Sequence, residues 1–291
     1  MKISGYFIVT EPEKMKYPYL EAIGAALSFC TEIVVVCGRK EQESEDKIRR
    51  LGENIKIINT NAWPVDWKWH SMKDHLQIAL DSCTGDVCLK IDADCIFRSE
   101  QKDLLRHGFS DDKVHRINIG RINYYSKDIF LPRKTNVIYA INKKLVQRDG
   151  WRVEITYQRP SMMSNQPFFF DAAGNSVDDQ VKVRNIQNVQ LWPINYDGTF
   201  LTREQAANSL IKMHKARFGE ILTLEDSLSY FMRHKRKRLW ENESARINWL
   251  KTPLEEHPGF YANFHPPIMH AKLNTITPEM WGYDCFGMFK E

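Results

Sequence analysis

The sequence predicts an α/β fold in which a mostly parallel, doubly wound central sheet is flanked by helices. Strand-like and helix-like patterns alternate through the first third of the chain, which is typical of parallel sheets. The apolar runs are continuous rather than alternating, as expected for strands covered on both faces. The 291 residues are enough for one large α/β domain, or for a core domain with a helical appendage.

Four apolar runs predict the first four strands, and three helical patterns lie between them. The strands are expected at residues 3–9, 33–37, 55–58 and 87–91. A polar loop containing a proline follows the first strand. The helices are expected around Leu20, Ile23 and Leu27, over the charged segment 40–51, and over 71–83.

Polar side chains follow the end of each predicted strand. Because parallel strands end at the same edge of a sheet, these side chains should line one edge, here called the rim, where open α/β sheets bind ligands. The expected rim residues are Thr10, Glu11, Gly38, Arg39, residues 59–61, Asp92 and Asp94.

Asp92 and Asp94 stand directly after the fourth predicted strand. Two carboxylates held this close repel each other unless a cation or a proton lies between them. Oxygen ligands of this kind suit a divalent metal ion such as Mg²⁺. The Asp-x-Asp pattern alone also occurs in turns and helix caps, so its position at the end of a buried strand is what favours a metal site.

Composition and charge set limits on the class of protein. The net charge is +4, which gives no global argument for a polyanionic partner. No apolar stretch approaches the roughly 20 residues of a membrane span, and residues 1–10 lack the features of a signal peptide. The six cysteines show no Cys-x-x-Cys pair, which favours free thiols in a reducing cytoplasm.

Other nucleotide-binding classes fit the sequence less well. No Gly-x-Gly-x-x-Gly follows the first strand and no Gly-Lys-Ser/Thr occurs, which argues against Rossmann dinucleotide and P-loop sites. Haloacid-dehalogenase phosphatases carry their Asp-x-Asp on the first strand rather than the fourth. Sugar nucleotidylyltransferases have a glycine-rich loop where this chain has Thr10-Glu11-Pro12.

The chain resembles the GT-A glycosyltransferases, in particular their family 2-like group. The similarity rests on a helix ending in residues 79–84, then Gly85-Asp86, four further residues, and Asp92-Ala93-Asp94. Residues 3–97 carry most of the resemblance, and 115–150 a weaker part. The acidic residue that often follows the second strand in this family is absent, and Cys37-Gly38-Arg39 stands there.

The resemblance implies a nucleoside-diphosphate sugar as donor, bound through Mn²⁺ or Mg²⁺. Asp94 would touch the metal, and Asp92 the metal or the ribose. The resemblance also points to residues beside the donor, and we expect Thr10, Glu11, Arg39, Trp67, Lys73, Asp92 and Lys272 to bind it.

Two downstream segments supply the remaining site candidates implied by the resemblance. Asp179, with Asp178 in reserve, would be the general base of an inverting transfer, although the same residues also suit a plain turn. His270 would be a further metal ligand, with His265 as the other candidate.

The last part of the chain predicts a helix that ends in a basic segment. A Thr-x-x-Asp box at Thr223 and Asp226 predicts the helix start. The basic residues suit a solvated helix end or a contact with phosphates. This segment consists of Arg233, Lys235, Arg236, Lys237 and Arg238.

Together, the patterns and the resemblance to the GT-A family imply a cytoplasmic, metal-dependent glycosyltransferase. We expect residues 1–150 to form the nucleotide-sugar half, 151–222 the acceptor half, and 223–291 a helical basic region that returns to the site. The acceptor hydroxyl would belong to a glycan or envelope component, or to a hydroxymethylated DNA base. A nucleotidyltransferase-like enzyme and a non-catalytic nucleic-acid-binding protein remain as alternatives.

Overall fold

The fold is described from a computed structural model of the chain. It describes residues 1–64, 71–98, 101–126, 129–158, 164–188, 191–218, 223–227, 229 and 265–284. The prediction for Trp67 and the predictions for Arg233, Lys235, Arg236, Lys237 and Arg238 fall outside these residues.

The first four strands form the parallel half-sheet that the sequence predicts. Their order in the sheet is β3-β2-β1-β4, and every neighbouring pair is parallel. Residues 34–37 of β2 are buried because helices cover both faces of the half-sheet. The strands are β1 (Ile3–Val9), β2 (Glu32–Cys37), β3 (Ile55–Asn59) and β4 (Val87–Lys90).

Helices connect these strands as expected, with one addition. The loop after β1 contains a short helix, α1 (Pro12–Met15), in which proline occupies the first turn, where a missing N–H costs nothing. The helix α2 (Tyr19–Leu27) buries Ala22, Ile23 and Ala26 against the sheet. The remaining helices of this half are α3 (Gln42–Arg49) and α4 (Met72–Asp81).

The sheet continues beyond β4 as a mixed sheet. β7 is antiparallel to both β4 and β6, so β6 runs in the same direction as β4. β11 lies between β6 and β5, parallel to the first and antiparallel to the second. β10 pairs with β6 beside this path. These strands are β5 (Cys95–Ile96), β6 (Arg116–Ser126), β7 (Ile129–Asn142), β10 (Val183–Ile186) and β11 (Ile194–Asn195).

A separate antiparallel hairpin packs beside α4 and β7. It consists of β8 (Arg152–Gln158) and β9 (Ser164–Phe170). The other helices are α5 (Gln101–Gly108), α6 (Lys143–Arg148), α7 (Arg203–Phe218), α8 (His270–Leu273) and α9 (Trp281–Asp284).

Two apolar clusters cover the two faces of the main sheet. The larger contains Phe7, Val35, Leu89 and Ile117 and extends to Met269 of the C-terminal segment. The smaller lies under α4 and the hairpin. Alternate residues of β4 enter different clusters, with Val87 and Leu89 in the larger and Cys88 in the smaller, as a strand requires.

Among the described residues beyond 150, β10 and β11 join the sheet begun by β1–β7. The C-terminal segment 265–284 also returns to this body, since Thr202 and Met280 form a β-bridge. The Asp226 N–H donates to Thr223 Oγ1 (3.0 Å), which is the N-cap contact of a capping box, and the Thr223 hydroxyl donates to Asp226 Oδ2 (2.7 Å). Among the described residues, no helix combines the length and apolar character needed to cross a membrane.

Candidate functional site

Asp92 and Asp94 lie at the carboxyl end of β4, on the rim predicted from the sequence. One carboxylate oxygen of Asp92, one carboxylate oxygen of Asp94 and the Sγ atom of Cys95 all lie within 4.8 Å of one another. Both aspartates are partly exposed, whereas Cys95 is buried. The strand ends here because Asp92 O accepts the Cys95 N–H (2.9 Å), which closes a tight turn between β4 and β5.

Lys90 partly neutralises Asp92 from inside the protein. Its ammonium group contacts Asp92 Oδ1 in an ion pair, and the lysine side chain is only 9% exposed, against 27% for the aspartate. The two residues lie on the same face of the chain, two positions apart on an extended backbone. No described residue forms a hydrogen bond with Asp92 Oδ2, so this oxygen is available to a ligand.

The loop after β11 holds Asp94 through the main chain. The Tyr196 N–H donates to Asp94 O at 2.8 Å, and Asn195 pairs with Cys95 across the short β5–β11 ladder. This contact brings Asp197 beside Asp94. Burial, followed by the charges of Asp197 and Asp92, raises the pKa of Asp94 to about 6.

Arg121 of β6 supplies the positive charge that faces these carboxylates. Burial opposes its charge, but Cys95, Asp94, Asp92 and Asp197 together raise the pKa of the guanidinium group. Its Nε atom is buried and has no hydrogen-bond partner within the described part of the chain. Arg121 therefore balances part of the negative charge of the acidic cluster, and its Nε–H remains able to donate to a ligand.

Tyr17 brings a phenol to the same cluster from the loop after β1. Burial raises the pKa of this phenol, and the charges of Asp197, Asp94 and Asp92 add to the effect. The rim thus combines side chains from four separate parts of the chain. The sequence analysis missed Tyr17, Arg121 and Asp197, although Asn195-Tyr196-Asp197 after a short apolar run resembles the polar ends of the other strands.

Thr10, Glu11 and Arg39 lie together at the ends of β1 and β2. Arg39 Nη1 is 3.3 Å from Glu11 Oε1, and its Nη2 is 3.5 Å from Pro64 O, so this arginine joins the loops that follow β1, β2 and β3. Thr10 Oγ1 is buried and lacks a hydrogen-bond partner among the described residues.

Gly38 allows these loops to approach one another closely. A Cβ atom at position 38 would lie 2.5 Å from Thr10 Oγ1 and 2.7 Å from the ring of Trp63, so no larger residue fits. Trp63 in turn packs edge-on against His75, with ring centroids 5.0 Å apart. Trp63 therefore packs between the loop after β2 and the helix that follows β3.

Lys73 lies exposed in the first turn of α4, which begins on the rim side because it follows β3. Within the described part of the chain, no hydrogen bond or ion pair holds its side chain. It stays a predicted donor-binding residue.

The C-terminal segment reaches the rim through His265 rather than His270. His265 Nδ1 shares a hydrogen bond with the hydroxyl of Tyr196 at 2.7 Å. His270 is exposed, and its Nε2 lies 3.3 Å from His265 O. Neither histidine belongs to the described group of close metal-ligating atoms. The metal-ligand role of His270 stays a prediction.

Lys272 faces the helix α2. Its Nζ lies 3.3 Å from Glu21 Oε2 and 5.4 Å from the ring centroid of Phe200. These contacts fix the C-terminal segment against α2. A phosphate contact by Lys272 would have to compete with this ion pair.

Asp178 and Asp179 lie away from the rim. They precede β10, whose first residue pairs with Arg116 at the amino end of β6, and β6 runs in the same direction as β4. They therefore lie towards the edge where these strands begin, whereas Asp92 and Asp94 follow the end of β4. Asp178 also accepts from the Phe169 N–H (3.0 Å) and from Ser176 Oγ (2.8 Å), while Asp179 is exposed.

The donor atoms at the rim fit a hard divalent cation. Two carboxylates supply the oxygen ligands that Mg²⁺ and Mn²⁺ prefer. Burial and the charges of Asp94 and Asp92 raise the pKa of Cys95 well above its usual range, so its thiol stays protonated and is a poor ligand. The raised pKa of Asp94 records a repulsion that a cation would relieve.

The chain has the architecture that the resemblance to GT-A glycosyltransferases implied, with a mostly parallel sheet flanked by helices and a carboxylate pair after the fourth strand. No protein-family model matches the sequence, and no curated protein matches it.

Three of the solved structures that are similar to this chain have the following sequence identities, coverages and TM-scores. S. aureus TarS (residues 1–349) is 14% identical, with a TM-score of 0.44 over 89% of this chain and 77% of its own. Mannosyltransferase PcManGT from Pyrobaculum calidifontis, in complex with GDP-Man and Mn²⁺, is 13% identical, with a TM-score of 0.42 over 94% and 85%. Glucosyl-3-phosphoglycerate synthase from Mycobacterium tuberculosis, with Mn²⁺, UDP and phosphoglyceric acid, is 13% identical, with a TM-score of 0.34 over 50% and 57%. These values are low, so the function proposed below rests on the rim itself.

Proposed function

We propose that this protein is a metal-dependent glycosyltransferase that moves a sugar from a nucleoside-diphosphate sugar to an acceptor hydroxyl. The observation that supports it most is the Asp92–Asp94 pair, whose ligand atoms come together on the rim of the sheet. A cation held by the carboxylate pair, beside a buried arginine, would attract the diphosphate of a nucleotide more strongly than a neutral ligand.

The residues of the rim divide into three proposed roles. Asp94, with Asp92, holds the cation, and Arg121 lies beside them as a fixed positive charge. When bound, the cation would stabilise the negative charge that develops on the diphosphate as the glycosidic bond breaks. Thr10, Glu11, Arg39 and Lys73 would contact the nucleoside part of the donor.

The general base and the stereochemical outcome form the finer part of the proposal. Transfer with inversion requires a base that takes the proton of the acceptor hydroxyl. Asp179 stays our candidate because it is exposed and forms no hydrogen bond or ion pair with a described residue, but its place near the beginning of β6 and β10 does not favour it. Asp178 is less suitable, because both of its oxygens already accept hydrogen bonds within the fold.

The acceptor is proposed in two chemical forms, a glycan or envelope component and a hydroxymethylated DNA base. A cytoplasmic location is supported by the cysteines, since Cys30, Cys37, Cys83, Cys88 and Cys95 are free thiols.

A donor panel tests the proposal. UDP-, GDP-, CMP- and dTDP-sugars are incubated with the protein, with and without Mn²⁺, and release of the nucleotide is measured. The wild type should turn over one donor class only with the metal, and Asp94→Asn should lose this activity. Asp86→Asn is a matched control, because Asp86 precedes the same strand at its other end and pairs with the Lys2 N–H.

The same panel separates the rival enzyme class. A nucleotidyltransferase would release pyrophosphate from a nucleoside triphosphate and leave nucleotide sugars intact. No turnover of any nucleotide sugar, at any Mn²⁺ concentration tested, would contradict glycosyl transfer.

A further inference from the structure

A chain of hydrogen bonds runs from the C-terminal segment to the cation site. His265 Nδ1 and the Tyr196 hydroxyl are 2.7 Å apart, and the main-chain N–H of the same tyrosine donates to Asp94 O at 2.8 Å. Tyr196 thus contacts His265 with its side chain and the candidate metal ligand with its backbone.

The surroundings of Tyr196 hold this chain of contacts in place. Tyr196 is 1% exposed, and its ring packs against Tyr124 with centroids 5.4 Å apart. Tyr124 also packs edge-on against His265 at 5.4 Å, and its hydroxyl donates to Gly282 O at 3.2 Å.

The C-terminal segment is fixed to the same loop at a second point. The Gly282 N–H donates to Thr199 O at 2.9 Å, and the Trp281 N–H donates to Leu201 O at 2.9 Å. A Cβ atom at position 282 would lie 2.8 Å from Thr199 O, so glycine is required for this approach. The loop 195–201 is therefore held between β5 on one side and residues 265–284 on the other.

We propose that Tyr196 and His265 are positioning residues for the cation site, through which the C-terminal segment sets the place of Asp94. This inference rests on the proposed function for the identity of the site. Partners behind metal ligands orient those ligands, and losing one typically weakens metal binding about 10- to 100-fold. Here the oriented group is the main chain of Asp94, so we expect the lower end of that range.

Burial, with a smaller contribution from His270, lowers the pKa of His265 to about 4. The ring is therefore neutral at pH 7. A neutral ring can share a hydrogen bond with the Tyr196 phenol without adding a charge near Asp92 and Asp94.

Four single variants and the double variant Tyr196→Phe/His265→Leu test the proposal. Tyr196→Phe removes the hydroxyl but keeps the main-chain N–H, and His265→Leu removes the partner ring. His265→Asn places an amide near the position of Nδ1 and is the conservative variant. His115→Leu is the control. The ring of His115 is likewise held by hydrogen bonds, to Asp149 and to the Lys182 N–H, but it lies at the opposite edge of the sheet.

The first measurement is the Mn²⁺ concentration that gives half of the metal-induced rise in melting temperature. The second is the Mn²⁺ concentration for half-maximal nucleotide-sugar turnover. Tyr196→Phe and His265→Leu should each raise both concentrations about tenfold. The double variant should behave as either single one does, because both break one bond. His265→Asn should restore most of the affinity, and His115→Leu should lower the melting temperature without moving either concentration.

Equal Mn²⁺ dependence in wild type and Tyr196→Phe would overturn the proposal, as would additive effects in the double variant. An absence of any Mn²⁺ response in the wild type would also overturn it. If Mn²⁺ binding shifts as expected but no nucleotide sugar is turned over, the positioning role stands and the proposed glycosyl transfer fails.

Discussion

Lys90 forms an ion pair with Asp92 at the end of β4, with the lysine almost fully buried and the aspartate partly exposed. The pair places a positive charge behind one of the two candidate metal ligands. Without bound metal, this lysine and Arg121 together limit the repulsion among Asp92, Asp94 and Asp197. The site is therefore built to tolerate the metal-free state at a moderate cost in stability.

Replacing Lys90 should expose that cost. Lys90→Met leaves Asp92 without its partner, and we expect the free energy of unfolding in EDTA to fall by about 1–3 kcal/mol, as for other hydrogen bonds to charged groups. Saturating Mn²⁺ should recover much of this loss, because the metal replaces the missing positive charge. Lys90→Arg keeps the charge and is the control. Urea unfolding with and without Mn²⁺ measures the effect, and an unchanged stability in EDTA would show that the pair contributes nothing.

The raised pKa of Asp94 predicts a defined pH dependence of metal binding. Because a proton and the cation compete for the same carboxylate, apparent Mn²⁺ affinity should be nearly constant above pH 6 and fall about tenfold per pH unit below it. Titration of Mn²⁺ against melting temperature between pH 5 and pH 8 measures this. A break near pH 4 instead would mean that the surroundings do not perturb Asp94.

The same pKa predicts how stability of the metal-free protein depends on pH. The folded-state pKa of about 6 lies above the unfolded value of about 3.9, so ionising Asp94 costs stability. The contribution of Asp94 to stability is fully present below pH 4, where its carboxyl group is protonated, and is lost as pH rises through 6 and the group ionises. The stability difference between wild type and Asp94→Asn should therefore change by at most about 3 kcal/mol across this window. A difference that is flat with pH would contradict this.

Replacing Asp197 should stabilise the metal-free protein and weaken metal binding. Asp197→Asn removes a negative charge beside Asp94, so we expect the metal-free protein to become more stable and the pKa of Asp94 to fall. Mn²⁺ binding should weaken severalfold, since the local potential becomes less negative. The melting temperature in EDTA reports the stability of the metal-free variant, and its rise with Mn²⁺ concentration reports the affinity for the metal. A variant that is less stable in EDTA would assign Asp197 a structural role instead.

Replacing Asp178 and replacing Asp179 should have different effects on stability and on activity. Asp178→Ala removes two hydrogen bonds, to the Phe169 N–H and Ser176 Oγ, and should lower the free energy of unfolding by about 1–3 kcal/mol. Asp179→Asn should leave stability unchanged because the side chain is exposed. If Asp179 is the general base, the kcat of the Asp179→Asn variant should be roughly 10²- to 10⁴-fold lower than that of the wild type. Unaltered kcat in Asp179→Asn would remove it as the base.

The half-sheet could be predicted from sequence because its signals are local. Continuous apolar runs, helical spacing and polar strand ends gave β1–β4 within a residue or two, and their parallel order followed from the alternation with helices. The carboxylate pair was found for the same reason, since both members follow one strand.

The rest of the site depends on contacts that no local pattern encodes. Arg121 and Asp197 reach Asp94 because β11 is inserted between β5 and β6, a pairing of segments distant in sequence. Asp179 was chosen by its position along the chain, and only the strand directions reveal which edge of the sheet it approaches. The His265–Tyr196 contact likewise requires the C-terminal segment to fold back.

The central claim is that a divalent cation joins Asp92 and Asp94 to the diphosphate of a nucleotide. Calorimetric titration of UDP and GDP into the protein, with Mn²⁺ and then with EDTA, tests it most directly. The account predicts that at least one nucleotide binds tightly only with Mn²⁺, and that Asp94→Asn abolishes this binding while Asp86→Asn keeps it. Nucleotide binding that is equally strong in EDTA, or equally strong in Asp94→Asn, would contradict the account.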